Sequence, residues 1–128
     1  MNNALRITML ALLFLAPAEL IAAEPWAALS SSNEAKAPVA RASTREEAVR
    51  RALTACNRVS ETCGSKPAST DNMDDLFVEA CCTSPRLGCV VVPNRTVDAG
   101  WQRALEIFGD AGYSNCRRVR AVKAGTGR

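Results

Sequence analysis

Six cysteines fall between positions 56 and 116, and nothing else in the chain restricts its fold as much. The stretch that holds them, residues 43–123, is about 80 residues long. A hydrophobic core of that size is marginal alone, and natural domains of this length commonly depend on crosslinks. Cys56, Cys63, Cys81, Cys82, Cys89 and Cys116 therefore read as a disulfide framework. Geometry trims the pairings. A helix through residues 44–63 would separate Cys56 from Cys63 by a rise of about 10 Å, beyond the roughly 7 Å between Cα atoms that a disulfide tolerates. A bond between the neighbours Cys81 and Cys82 would close a strained ring. Two antiparallel helices would set Cys81 and Cys82 level with residues 53–57, so Cys56 to Cys81 or Cys82 is the favoured bridge. Cys89 joins Cys116 if their strands are neighbours. Cys63 then lacks a comfortable partner, a tension this picture does not remove.

The N-terminus has the zones of a secretory signal over residues 1–23. Arg6 precedes the uncharged apolar run Ile7–Ala16, and Ala16-Pro17-Ala18 or Ala22-Ala23 supplies small residues for cleavage. Pro17 and Glu19 interrupt the run well short of the roughly 20 residues that span a bilayer. The expectation is an exported protein, periplasmic or secreted, with no transmembrane span after cleavage; the alanine-rich signal favours a bacterial source. Residues 24–42, mostly Ala, Ser and Pro, read as a flexible lead-in in which only Trp26 could dock on something. Residues 124–128 form a short tail.

Within the cysteine-rich domain, Ser43-Thr-Arg-Glu46 has the pattern of a capping box. Val49, Leu53, Cys56, Val59 or Ser60, and Cys63 continue one helical face of a helix over residues 44–63, with Gly64 as the C-terminal cap. Met73, Leu76, Phe77, Ala80 and Cys81 have i, i+3, i+4, i+7, i+8 spacing and predict a second helix over 73–82, with Asp71, Asp74, Asp75 and Glu79 near its start. Cys89–Val92 is a β-branched run that predicts a strand covered on both faces. A third helix starts at 94–96, presents Val97, Trp101, Ala104, Leu105 and Phe108 inward, and stops at Gly109 and Gly112. A last strand over 114–122 turns Val119 and Ala121 one way, Arg118 and Arg120 the other. The expected fold class is α+β: a small disulfide-stapled domain with two N-terminal helices packed on a strand–helix–strand unit, whose two strands run parallel through a crossover or antiparallel with a further strand.

The sequence contains no histidine, which removes Ser-His and Cys-His nucleophile arrangements and imidazole metal sites. It has no Cys-x-x-Cys and no phosphate-binding glycine loop. Asp74, Asp75 and Glu79 are the obvious acids, yet they stand where helix-start acids belong. No catalytic constellation and no cofactor is expected. Asn94-Arg95-Thr96 has the glycosylation acceptor pattern, and Thr96 serves equally as a helix cap. The net charge of +3 does not argue for nucleic acid. Arg117, Arg118, Arg120 and Lys123 form a basic strand after the last acidic residue, Asp110; a solvated face is the plain reading, and a face for an anionic partner is the functional one. The leading expectation is a non-catalytic binding or accessory protein of the inhibitor, immunity or adaptor type, meeting another protein or an anionic envelope surface. One alternative is thiol-redox or soft-metal chemistry at the vicinal Cys81-Cys82 pair; another is a purely structural envelope component.

Overall fold

The computed structural model describes residues 23–128. Apart from Ala23, the expected signal segment lies outside the described residues. The elements run β1 (Trp26–Leu29), β2 (Ala40–Ala42), α1 (Arg45–Asn57), β3 (Ala68–Thr70), β4 (Leu76–Ser84), β5 (Gly88–Asn94), α2 (Val97–Asp110) and β6 (Ser114–Lys123). They build two three-stranded antiparallel sheets, ordered β2-β1-β3 and β5-β4-β6. The class is α+β, stapled by three disulfides.

Alternation along the strands arranges these elements in four layers. Ala28 of β1 and Ala42 of β2 meet Ala48 and Ala52 of α1, small side chains that let the helix lie close to the sheet. Ala27 and Leu29, on the other face of β1, pack with Phe77 of β4 and Val122 of β6, so the two sheets are stacked. Ala80 and Cys82 of β4 point the opposite way, against Ala104 and Phe108 of α2. The order is α1, first sheet, second sheet, α2.

Several expectations change. Residues 24–42 are not a loose lead-in: they carry β1 and β2, and Ala27 to Ser32 are all buried. The alanines and serines that suggested flexibility are small because both faces of β1 are covered. The helix expected over 73–82 is replaced by β4, in which residues 77–82 are consecutively buried. A continuous apolar run satisfies helical spacing by default, and periodicity alone does not separate the two. One helix, not two, therefore precedes the strand–helix–strand unit. That unit is present as β5–α2–β6; β5 and β6 each run antiparallel to β4 between them, and so parallel to each other. The expected tail is also held, because Ala124 is buried and donates its amide to the Asp75 carbonyl.

Both helices begin on threonine. Thr44 caps α1, its hydroxyl accepting from Glu47 N–H, so the cap lies one residue beyond the expected Ser43. Thr96 caps α2 in the same way through Ala99 N–H. The end of α2 is a Schellman motif: Tyr113 N–H reaches the Phe108 carbonyl, Gly112 N–H reaches the Gly109 carbonyl, and Gly112 takes φ +80°. The Phe108 and Tyr113 rings then meet, with centroids 5.6 Å apart.

The bridges follow from the strand order. Cys56–Cys63 forms because α1 ends at Asn57, and the chain turns back to leave the two Cα atoms 6.0 Å apart; the rise argument required a helix that continues to Cys63. Cys89 and Cys116 do not pair because β4 separates their strands. Cys81 instead bonds Cys89 and Cys82 bonds Cys116, each to its direct register partner. Cys56 accordingly bonds neither Cys81 nor Cys82.

Two measurements test this account. Gly112→Ala should destabilise by about 1 kcal/mol in urea unfolding, because a side chain there must hold a left-handed backbone. Gly109→Ala, at a helical position with open space around it, should instead be neutral or stabilise by up to about 1 kcal/mol. Paired Cys→Ala removal of Cys82–Cys116, which spans 34 residues, should cost about 4 kcal/mol, against about 2.5 for Cys56–Cys63, which spans 7. Equal losses would show that loop entropy does not set the ranking.

Candidate functional site

The centre of the second sheet holds a carboxylate. Glu79 lies on β4 with no exposed surface, on the face turned toward the first sheet. A charge in such a place needs full compensation. Its Oε2 accepts from Arg120 Nε at 2.6 Å, and its Oε1 accepts from Ser32 N–H at 2.7 Å. Arg120 also donates from Nη2 to the Ala37 carbonyl at 2.6 Å. One ion pair between β4 and β6 therefore holds both ends of the 32–37 loop. Around it, Ser30 Oγ donates to the Gly64 carbonyl, and the hydroxyls of Ser32 and Ser60 share a 2.8 Å hydrogen bond. Gly64 is not a helix cap; a Cβ there would clash with Ser31 Oγ, so its lack of a side chain permits the loop to close on this segment.

This cluster divides the basic strand. Glu79 registers with Arg120, but Ala80 registers with Arg118, leaving Val119 as a bulge. Arg118 and Arg120 consequently lie on opposite faces of β6, not on one face as simple alternation predicts. Arg120 is withdrawn into the buried pair. Arg117, Arg118 and Lys123 remain exposed on an edge strand, and none has a carboxylate in ion-pair range among the described residues. The structure thus leaves three of the four expected basic residues exposed and commits the fourth, half-buried, to the interior carboxylate.

The expected acids disperse. Asp75 accepts from Thr70 Oγ1 at 2.6 Å in the turn before β4, and the Asp74 backbone N–H donates to Asn72 Oδ1 at 3.0 Å. Arg95 approaches both, at 3.9 Å from Asp74 and 3.8 Å from Asp75. Glu79 is remote from them in role, since it faces the interior. The signal that could have singled it out is one charge inside the apolar run Leu76–Cys82, with an arginine in the last strand to answer it. Cys81 and Cys82, the alternative metal or redox pair, point to opposite faces of β4, and each sulfur is taken up in its own bridge. Trp26 is half-buried in β1, with the Arg45 guanidinium 4.7 Å from its ring.

Compared with protein-family models, with curated proteins and with solved structures, the chain has no match.

Arg120→Ala should destabilise the fold by about 3–5 kcal/mol by stranding a buried carboxylate, while Arg118→Ala should change stability by less than about 0.5 kcal/mol. Chemical denaturation of the two variants side by side measures both; similar values would contradict the division of the strand.

Proposed function

We propose that the chain is an exported, non-catalytic binding or accessory protein that meets an anionic partner, protein or envelope surface, through β6. The observation that carries this reading is the set of three exposed cations on the edge strand β6, Arg117, Arg118 and Lys123, none of which has a carboxylate in ion-pair range among the described residues. By register, Arg118 and Lys123 lie on the α2 face of β6 and Arg117 on the other, and cations left without an ion-pair partner along one strand raise the local potential and favour acidic ligands. The strand is held rigidly beneath them by the Cys82–Cys116 bridge and the Glu79–Arg120 pair, so little order would be lost on binding. Three disulfides suit an oxidising compartment. Among the described residues, no helix is long and apolar enough to cross a membrane.

The test is charge reversal at Arg117, Arg118 and Lys123 together, with Arg120 left in place to preserve the core. Binding to a glutamate-rich polypeptide and to phosphatidylglycerol vesicles should fall at least about tenfold, and wild-type binding should weaken as salt rises past about 0.1 M. Loss with only one of the two probes identifies the partner class. Unchanged binding to both would remove β6 as the contact surface.

A further inference from the structure

A second basic surface lies on the other sheet, in a groove of about 480 Å³ between β2 and α1. Its lining includes Arg41, Arg50, Arg51 and Arg58, against the single carboxylate of Glu47. Three of these guanidinium groups are fixed by bonds already in place. Arg41 donates to the backbone carbonyls of Glu24 and Gly125. Arg50 donates to Glu47 through Nε and Nη2. Arg51 donates to Glu47 through Nε, and through Nη1 to the Arg41 carbonyl at 2.8 Å and the Glu24 carboxylate. The pairing with Arg50 and Arg51 is strong enough to hold the Glu47 carboxyl below the usual carboxylate range, the Arg50 hydrogen bond contributing most.

This network leaves donors over. A guanidinium has five N–H groups on three nitrogens. Nη1 of Arg50 and Nη2 of Arg51 have no partner among the described residues, and Arg58, at the C-terminal end of α1, makes no side-chain hydrogen bond or ion pair among them. Arginine is suited to tetrahedral oxyanions, because its planar fork presents parallel donors and resists deprotonation. We infer that the groove between β2 and α1 is a binding site for a phosphate-class oxyanion, taken by Arg50, Arg51 and Arg58, with Glu47, bound to other nitrogens of Arg50 and Arg51, as an internal competitor for the charge of those two guanidinium groups. The site is separate from β6 and stands independently of the function proposed for that strand.

The competitor gives the proposal an outcome of opposite sign. Sulfate, which stays fully ionised across the working range, and inorganic phosphate are titrated into the full chain while the arginine Nε–H resonances are followed by NMR. Saturable shifts are expected at Arg50, Arg51 and Arg58. Arg58→Gln should weaken the affinity about tenfold, the loss of a charged hydrogen-bonding group, whereas Glu47→Gln should tighten it by freeing Arg50 and Arg51. Charge reversal on β6 should leave the affinity unchanged, which separates this result from the test of that surface. Vesicles containing phosphatidic acid, compared with neutral vesicles, tell a lipid headgroup from a free anion: competition between vesicles and phosphate assigns the headgroup, and phosphate binding without vesicle binding assigns the soluble ion. Absence of saturable shifts in the wild type, or weaker binding in Glu47→Gln with the fold intact by circular dichroism, would overturn the proposal.

Discussion

Strand β4 is covered on both faces and hydrogen-bonded along both edges, and the remaining architecture is arranged around that condition. Phe77, Glu79 and Cys81 face the first sheet, while Val78, Ala80 and Cys82 face α2. Because side chains alternate along a strand, two consecutive cysteines in its centre cannot serve the same neighbour on the same face. Cys81 fastens β5 on one side of the sheet and Cys82 fastens β6 on the other. The vicinal pair thus locks both outer strands to the middle one, and their register cannot slip without breaking a covalent bond. A domain this small cannot supply much apolar burial for the purpose, and crosslinks in the central sheet supply the constraint.

Glu79 shows what that constraint permits. Burying an ion pair seldom gains stability over apolar residues of the same size, so its presence points to a positional role. It binds the amide of Ser32 on one oxygen and the guanidinium of Arg120 on the other. Arg120 in turn reaches Ala37. The loop after β1 has few large side chains with which to anchor itself; Ser30, Ser31 and Ser32 offer hydroxyls and backbone instead. The ion pair and the serine hydrogen bonds hold this polar segment against the second sheet, and no buried side-chain polar atom among the described residues is left without a partner.

What the sequence made legible was local. Thr96 and the face of α2 and the basic last strand are visible because a cap or an amphipathic period marks them, and the strand at Cys89–Val92 because its run is short and β-branched. The misread elements, β4 and β1, share one cause: residues buried on two faces lose their period. Residues 77–82 are apolar almost without break, so helix and strand templates fit equally. Ala27–Leu29 is covered by α1 on one side and by the second sheet on the other, and its alanines were indistinguishable from those of a linker. Once β4 is read as a helix, the partners of Cys81 and Cys82 cannot be recovered, because the distance estimates inherit the wrong rise per residue; Cys56–Cys63 was lost separately, by extending α1 past its end at Asn57. The Val119 bulge is a further case, since a single extra residue reverses the face of every side chain beyond it.

The same bulge explains why composition understated the charged surfaces. A net charge of +3 spread evenly would be featureless, but the fold sorts cations by whether a carboxylate can reach them. Arg120 is diverted inward to neutralise Glu79, and Arg117, Arg118 and Lys123 stay outside on a strand with no acidic residue of its own. Had the alternation run unbroken through Val119, Arg118 and Arg120 would share one face, and either the buried carboxylate would lack its partner or both cations would leave the surface together. One inserted residue lets β6 serve the core and present charge to solvent at the same time. The charge presented at that strand is therefore coupled to the stability of the sheet beneath it, and the two can be separated only by substitutions that respect which face each arginine occupies.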